Sequence, residues 1–314
     1  MRIFLVLLLA LVITLTLTWF FAPGPMYYAA VGLERQLAGL DSRTVRVQGT
    51  RWAYTDGGSG APLLLLHGFG ADKDNWNRVA RHLTDRYRVV APDLPGFGDS
   101  DPAADGYTIA AQAQRLFEFA DAIGLRRFHL GGNSMGGYIA LAMARRHPER
   151  VESVWLLAPA GVAAAPVSPF VETVLQGETN PLIPSSPEQF EQTLELVFEQ
   201  RPFLPGPMID YLAERQVARQ ELYQSIFQDV GFGSQPSETF AQGLTVPALI
   251  VWGERDRVLH PDGGPILAGL LASDTLILMP GIGHLPMVED PLGTATDYIQ
   301  WRQQVSRSPG TVQP

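Results

Sequence analysis

The chain has 314 residues, of which 46% are hydrophobic and 18% are charged, a composition typical of a globular protein with a large buried core. Its formal net charge is −9 and its basic residues are scattered, which argues against a nucleic-acid partner because such a partner requires a basic face. The absence of cysteine excludes disulfides, thiolate metal sites and a cysteine nucleophile.

A long apolar segment stands at the N-terminus. Residues 3–22 lack charged side chains, and at about 1.5 Å per residue a helix of this length spans a bilayer core of roughly 30 Å. Aromatic residues at its end, followed by Tyr27 and Tyr28, are typical of a membrane interface. We predict a membrane anchor over residues 1–25, with the catalytic domain on the extracytoplasmic side. A long signal peptide cleaved near residues 29–30 is the alternative.

Strand-like and helical stretches alternate after this segment. Residues 31–40 predict a short amphipathic helix near the membrane surface, and residues 44–47 and 51–54 alternate as strands. Unbroken apolar runs, which are typical of strands buried on both faces of a parallel sheet, then recur along the chain. They are residues 62–66, 88–91, 127–130, 154–157, 248–252 and 276–278. Helical stretches between them predict a doubly wound α/β sheet.

One long segment interrupts the alternation. Residues 163–242 contain helical pieces but no buried strand. One helix is predicted to start at Ser186, which suits an N-cap, and a second to run from Pro207 towards Phe227. We predict that this segment is a helical cap over a core formed by residues 40–162 and 243–306. An ordinary extra helical layer is the alternative.

The most informative motif is a Gly-x-Ser-x-Gly sequence at residues 132–136, with an apolar strand before it and an Ala-rich helix after it. This pattern indicates a nucleophile elbow, a sharp strand-to-helix turn that presents a serine hydroxyl above the sheet. Glycine is needed on both sides because bulkier residues would collide with the crossing helix. Ser134 is therefore the candidate nucleophile.

A serine hydroxyl needs a general base, and the base needs an orienting acid. We assign His284, in a Gly-rich loop after the last predicted strand, as the base. We assign Asp256, in the loop after the preceding strand, as the acid. Glu254 remains the alternative acid and His260 the alternative base. The other histidines are predicted to be non-catalytic: His67 orders a loop, His129 is structural, and His82 and His147 lie at the surface.

Two backbone N–H groups are needed to hold the negative charge of an oxyanion. We predict that they belong to Met135, directly after the nucleophile, and to Phe69, in the loop after the strand at residues 62–66. The Gly-x-Gly within residues 93–100 lacks the third glycine of a dinucleotide fingerprint and predicts only a tight turn. No motif indicates a metal, a nucleotide or any other cofactor.

These motifs, in this order, resemble those of the α/β-hydrolase superfamily. They are residues 65–69, 93–100, 132–137, 252–256 and 283–284. Residues 67–76, 158–161 and 181–188 are also similar to the membrane-anchored monoacylglycerol lipases and related bacterial lipases. The resemblance implies a mostly parallel eight-stranded sheet with a helical cap, an N-terminal transmembrane helix, and hydrolysis of single-chain lipid esters.

We therefore predict a serine hydrolase that cleaves carboxylic esters, such as monoacylglycerols, through a Ser-His-Asp triad and an acyl-enzyme. Alternatives are a carbon–carbon bond hydrolase, a haloperoxidase-like esterase, or a catalytically inactive membrane-tethered binding module. The sequence specifies no oligomeric state. Apolar residues of the predicted cap are candidates for an acyl site, with plain packing as the alternative for each. They are Phe170, Phe190, Leu194, Phe198, Phe203, Met208 and Tyr211.

Overall fold

A computed structural model describes residues 4, 5, 7, 22–231 and 235–307 of the chain. In these ranges eight strands form one sheet in the order β1-β2-β4-β3-β5-β6-β7-β8. Strand β2 pairs antiparallel with β1 and β4, and the other neighbours are parallel, which confirms the mostly parallel sheet. The strands are β1 Leu40–Val47, β2 Thr50–Gly57, β3 Ala61–Leu66, β4 Tyr87–Pro92, β5 Phe128–Asn133, β6 Val151–Leu157, β7 Ala248–Gly253 and β8 Asp274–Met279.

Helices connect most of these strands, and those between β6 and β7 fall in the predicted cap. A single 3₁₀ turn, Lys73–Trp76, precedes α2. In chain order the helices are α1 Pro23–Leu37, α2 Asn77–Ala80, α3 Ile109–Ala122, α4 Met135–Arg146, α5 Pro169–Leu175, α6 Pro187–Val197, α7 Gly206–Val217, α8 Gln220–Val230, α9 Ser237–Ala241, α10 Gly263–Ala268, α11 Pro286–Glu289 and α12 Pro291–Arg307.

The central strands are buried on both faces, which explains their unbroken apolar runs. Successive side chains of a strand point to opposite faces, so neighbouring residues enter different cores. Leu64 and Leu66 of β3 join one hydrophobic cluster. Leu63 and Leu65 join the other, and all four are fully buried. Both faces of the sheet are therefore covered by hydrophobic clusters. A functional site is expected at the carboxyl ends of the strands.

The N-terminal helix begins earlier than the sequence indicates. We predicted a helix over residues 31–40, but α1 starts at Pro23 and ends at Leu37, and β1 begins at Leu40. The predicted membrane segment, residues 3–22, lies outside the described residues except at residues 4, 5, 7 and 22. Within the described part of the chain, no helix combines the length and apolar character needed to cross a membrane.

Helix α1 packs on the protein through aromatic and ionic contacts. Its Tyr27 ring lies 5.7 Å from the ring of Tyr211 in α7, and Gly24 leaves room for that same ring. Arg35 forms a two-point ion pair with Asp74, with N–O distances of 2.6 and 2.5 Å. These contacts hold α1 against the rest of the protein.

The helix predicted from Pro207 towards Phe227 is in fact two helices, α7 and α8. Arg219 lies between them with φ −110° and ψ 10°. Its guanidinium donates a hydrogen bond of 2.8 Å to the carbonyl of Gly98 in the core. The break coincides with this tertiary contact, and no proline or glycine in the local sequence marks it.

Candidate active site

The turn between β5 and α4 has the strained geometry of a nucleophile elbow. Ser134 has φ 54° and ψ −118°, a conformation that residues other than glycine adopt rarely. A Cβ added to Gly132 would overlap the carbonyl of Gly136, and one added to Gly136 would overlap the carbonyl of Leu66. Glycine is therefore required at both positions for the backbones to approach.

Hydrogen bonds fix this turn against two neighbouring segments. The Ser134 N–H donates to the carbonyl of Leu157 at the end of β6, and the Ala160 N–H donates to the carbonyl of Ser134, both at 3.0 Å. The side-chain amide of Asn133 donates to the carbonyls of Leu157 and His284, both at 3.1 Å. The elbow is thus joined to the loop that carries His284.

His284 and Asp256 form a buried pair. The Nδ1 atom of His284 lies 2.7 Å from Oδ2 of Asp256, and the two residues are 4% and 6% exposed. The carboxylate also accepts from the Trp252 indole at 3.0 Å and from the N–H groups of Val258 and Leu259 at 2.8 and 3.0 Å. This set of donors holds the carboxylate in one orientation, and an Nδ1 proton on His284 leaves Nε2 available as a base.

The alternative acid and base lie apart from this pair. Glu254 is exposed, and the His260 Nδ1 atom accepts a hydrogen bond of 3.2 Å from the Asp262 N–H. His129 is buried against the Ser153 hydroxyl at 2.9 Å, as expected for a structural residue. Within residues 22–231 and 235–307, no group of three or more acidic or histidine side chains is placed to hold a metal ion.

Ser134 and His284 line the same cavity of about 440 Å³. Among the described residues no hydrogen bond joins the Ser134 hydroxyl to the His284 ring. Such a bond is often long in a ligand-free enzyme and tightens when substrate binds. The structure therefore brings the three predicted residues to one site, with the imidazole–carboxylate half already hydrogen-bonded.

The loop after β3 carries the predicted oxyanion residue Phe69, and this loop also lines the cavity. The other predicted residue, Met135, is the first residue of α4 and is buried. A helix N-terminus favours negative charge, which suits an oxyanion at this position. Phe69 packs its ring against Phe97 and Phe227, with ring centroids 5.6 and 5.5 Å apart.

His67 orders this loop and is neutral. Its Nε2 atom accepts a hydrogen bond of 2.9 Å from the Leu94 N–H, so its Nδ1 atom donates to the Gly68 carbonyl at 2.7 Å. Burial lowers the pKa of His67 to about 4, which keeps the ring uncharged near neutral pH. This geometry agrees with the predicted loop-ordering role.

An ionic cluster lies directly beyond the same loop. Lys73 is 2% exposed, and its ammonium donates to the carboxylates of Asp93 and Asp99, both at 2.8 Å. Asp93 is fully buried and also accepts from the Lys73 N–H at 2.7 Å. Burial opposes the charge on Lys73, but the carboxylates of Asp93, Asp74 and Asp72 outweigh it and raise the Lys73 pKa. The ammonium of Lys73 therefore stays charged.

The predicted cap supplies most of the apolar cavity wall. The predicted acyl-site residues that line the cavity are Phe190, Leu194, Phe198, Phe203 and Met208. Two residues of this set are not among those that line the cavity. Phe170 is buried beside Phe227, with ring centroids 6.4 Å apart, and Tyr211 packs on Tyr27, so neither belongs to the cavity lining.

The contribution of α1 to the cavity was not predicted from the sequence. Tyr27, Ala30, Val31 and Glu34 line the same cavity as Ser134. Their spacing of three, four and seven residues places them on one helical face, and this is the signal that was available in the sequence. It was obscured because the tyrosines also fit a membrane interface.

The fold and the site together define a class. A mostly parallel eight-stranded sheet with a serine elbow and a histidine–aspartate pair at its carboxyl edge is the architecture of α/β hydrolases. A family model described as "alpha/beta hydrolase fold" matches residues 61–291. The chain belongs to this family, and it is an enzyme of the carboxylic ester hydrolase type.

Named relatives are lipases. Lipase 1 of Psychrobacter immobilis is 35% identical over 86% of this chain and 86% of its own length. A monoacylglycerol lipase of Homo sapiens is 31% identical over 86% of this chain and 85% of its own length. The crystal structure of a membrane phospholipase A, described as a bacterial virulence factor, is 44% identical. It superposes with a TM-score of 0.88 over 98% of this chain and 99% of that one.

Proposed function

We propose that the chain is a serine hydrolase in which Ser134, His284 and Asp256 form the catalytic triad. The observation that carries the proposal is the buried hydrogen bond of 2.7 Å between His284 and Asp256, beside a cavity that Ser134 also lines. The strained backbone of Ser134 supports it further, because strain at a non-glycine residue concentrates at functional sites.

In this mechanism the Ser134 hydroxyl attacks the ester carbonyl while Nε2 of His284 takes its proton. Asp256 orients the imidazole and stabilises the imidazolium that forms. The N–H groups of Phe69 and Met135 hold the oxyanion. His284 then protonates the leaving alcohol, and a water molecule deprotonated by His284 releases the acid from the acyl-enzyme.

We further propose that the substrate is a single-chain lipid ester such as a monoacylglycerol, with residues 163–242 acting as the cap. Support comes from the apolar side chains that the cap and α1 place around the cavity, and from relatives that are named lipases. A carbon–carbon bond hydrolase or a haloperoxidase-like esterase would use the same triad. The inactive binding module considered from the sequence does not agree with the family or with relatives that are named lipases, and all three proposed triad residues are present.

A substrate panel separates these functions. Monoacylglycerols, p-nitrophenyl esters and a ring-cleavage diketone are offered to the full-length protein in detergent micelles at equal concentration. We expect a higher kcat/KM for medium-chain monoacylglycerols than for the diketone, because their acyl chain buries apolar surface in the cavity. A preference for the diketone would replace the ester proposal, and no turnover of any substrate would contradict the hydrolase proposal as a whole.

We also propose that residues 3–22 anchor the protein in a membrane, with the catalytic domain on the extracytoplasmic side. Because the chain has no cysteine, Ser306→Cys introduces a single thiol at an exposed position of α12. We expect an impermeant maleimide to label this variant on intact spheroplasts, whereas labelling only after lysis would contradict the orientation. Release of the protein from membranes by alkaline carbonate would contradict the anchor.

A further inference from the structure

Part of the cavity lining is polar, in contrast to the apolar side chains that the cap contributes. The polar side chains come from α1, from the segment after β3, from α2 and from α7. They are Glu34, Asp72, Asp74, Asn75, Arg78 and Gln216. A few polar groups in an otherwise apolar pocket fix the orientation of a ligand. These polar side chains are therefore the candidates for binding the polar part of a substrate, and the apolar side chains of the cap are the candidates for binding an acyl chain.

Most of these charged side chains are already paired within the protein. Asp74 is held by Arg35, with N–O distances of 2.6 and 2.5 Å. Glu34 is held by Arg78 at 3.0 Å. Asp72 differs, since among the described residues it forms no ion pair within 4 Å. Its Oδ1 atom accepts only from the Asp74 N–H, at 2.9 Å.

Asp72 therefore has an oxygen, Oδ2, to offer to a ligand. Gln216 is placed similarly, because its Nε2 donates to the Gly70 carbonyl at 2.8 Å and leaves its Oε1 as an acceptor. Both residues line the cavity of Ser134 and the small polar cavity beside it. Asp72 also follows Phe69, the predicted oxyanion residue, by three positions in the same loop. Two acceptors thus line the same cavity as Ser134.

We propose that Asp72 and Gln216 form a hydroxyl-accepting subsite that binds the glycerol part of an acylglycerol substrate. The inference rests on the proposed ester hydrolase function and assigns head-group preference to these two residues. Glycerol hydroxyls donate to the two acceptors while the acyl chain occupies the apolar wall. A simple alkyl ester lacks these donors, so it makes no hydrogen bond with Oδ2 of Asp72.

The charge state of Asp72 gives the subsite a pH dependence. Burial, and then the nearby carboxylates of Asp74 and Asp93, raise the Asp72 pKa to about 6, while Lys73 lowers it. Above that pH the carboxylate is ionised and is a stronger acceptor than the protonated form. The other titratable and charged groups that interact with Asp72 are Tyr27 and Arg35 of α1, His67, Arg215 of α7 and Tyr223 of α8.

The test compares two esters of one acid, 1-decanoylglycerol and ethyl decanoate, with full-length Asp72→Asn in the same micelles. Asparagine keeps the hydrogen bond to the Asp74 N–H, since it is as good an N-cap as aspartate, and it removes the charged acceptor. We expect the ratio of kcat/KM for the glycerol ester over the ethyl ester to fall about 5- to 20-fold, mostly through KM. The ethyl ester should change less than about twofold. Asp85→Asn, at an exposed carboxylate away from the cavity, should leave the ratio unchanged.

In the wild type, the ratio of kcat/KM for the glycerol ester over the ethyl ester should rise between pH 5 and 7. In Asp72→Asn the same ratio should not change with pH. A second pair of substrates, lysophosphatidylglycerol and lysophosphatidylethanol, tests whether the head-group glycerol of a phospholipid also binds the subsite. If it does, the ratio of kcat/KM for lysophosphatidylglycerol over lysophosphatidylethanol falls in Asp72→Asn as well. An unchanged ratio in both pairs, or an equal loss on all esters, would overturn the subsite. Absence of ester turnover in the wild type would instead contradict the proposed function itself.

Discussion

Ser134→Ala is expected to lower kcat for ester hydrolysis by about 10⁶-fold, and His284→Ala by a similar factor. Either change removes a group that acts in the same step, so the double variant should be no slower than the single ones. Asp256→Ala should cost less, about 10⁴-fold, because it removes the group that orients the base. Steady-state rates on a p-nitrophenyl ester of medium chain length measure all four variants.

The alternative residues supply the controls for this experiment. His260→Ala and Glu254→Gln should keep rates within about threefold of the wild type, because neither side chain is hydrogen-bonded to the His284–Asp256 pair. Loss of turnover in His260→Ala together with full activity in His284→Ala would refute the assignment of the base. Unfolding midpoints of all variants should be recorded, so that a lost fold is not taken for a lost catalyst.

Lys73→Met is expected to lower the free energy of unfolding by about 3–5 kcal/mol, because it leaves a buried carboxylate without its cation. The ammonium of Lys73 lies 2.8 Å from both Asp93 and Asp99, and Asp93 is fully buried. Esterase activity should fall as well, since Lys73 directly follows the oxyanion loop. Urea-induced unfolding in detergent, followed by tryptophan fluorescence, gives the free energy.

A surface pair provides the matched control. Arg127 and Glu152 lie 3.7 Å apart, with side chains 66% and 37% exposed. Arg127→Met should change the free energy of unfolding by no more than about 1 kcal/mol, since water screens such pairs. A loss in Lys73→Met no larger than that of Arg127→Met would mean that the buried cluster contributes little to the stability of the fold.

The sheet could be predicted from the sequence because its physical cause is local. Strands buried on both faces need apolar residues at every position, and runs such as the leucines of β3 show this directly. The elbow was equally visible, since Gly132 and Gly136 are required by backbone approach on either side of Ser134. In this fold the nucleophile, the acid and the base follow one another in that order along the chain. This order limited which residues could be the acid and the base for Ser134.

Packing between distant segments could not be predicted in the same way. Tyr211 has the hydrophobic character of a cavity residue, but it contacts Tyr27 of α1, almost two hundred residues earlier in the sequence. Phe170 likewise packs on Phe227. Helical periodicity shows that a residue faces inward, but it does not say which partner it meets.

The polar residues of the cavity lining were not predicted from the sequence, for a related reason. Asp72 and Lys73 are adjacent in a loop. Their sequence order does not indicate that Lys73 forms ion pairs and Asp72 does not. That difference depends on Asp93, which β4 brings beside Lys73. Charge pairing is a property of the folded chain, so its sequence signal is weak even where the strands themselves are clear.

Covalent labelling by a fluorophosphonate probe is the decisive experiment for the catalytic role of Ser134, because the probe reacts only with a serine that its neighbours activate. Peptide mass spectrometry of the labelled full-length protein identifies the residue. We expect one modified serine, Ser134, with labelling lost in Ser134→Ala and strongly slowed in His284→Ala. Modification of a different serine, or hydrolysis by a protein whose Ser134 stays unlabelled, would contradict the proposed triad.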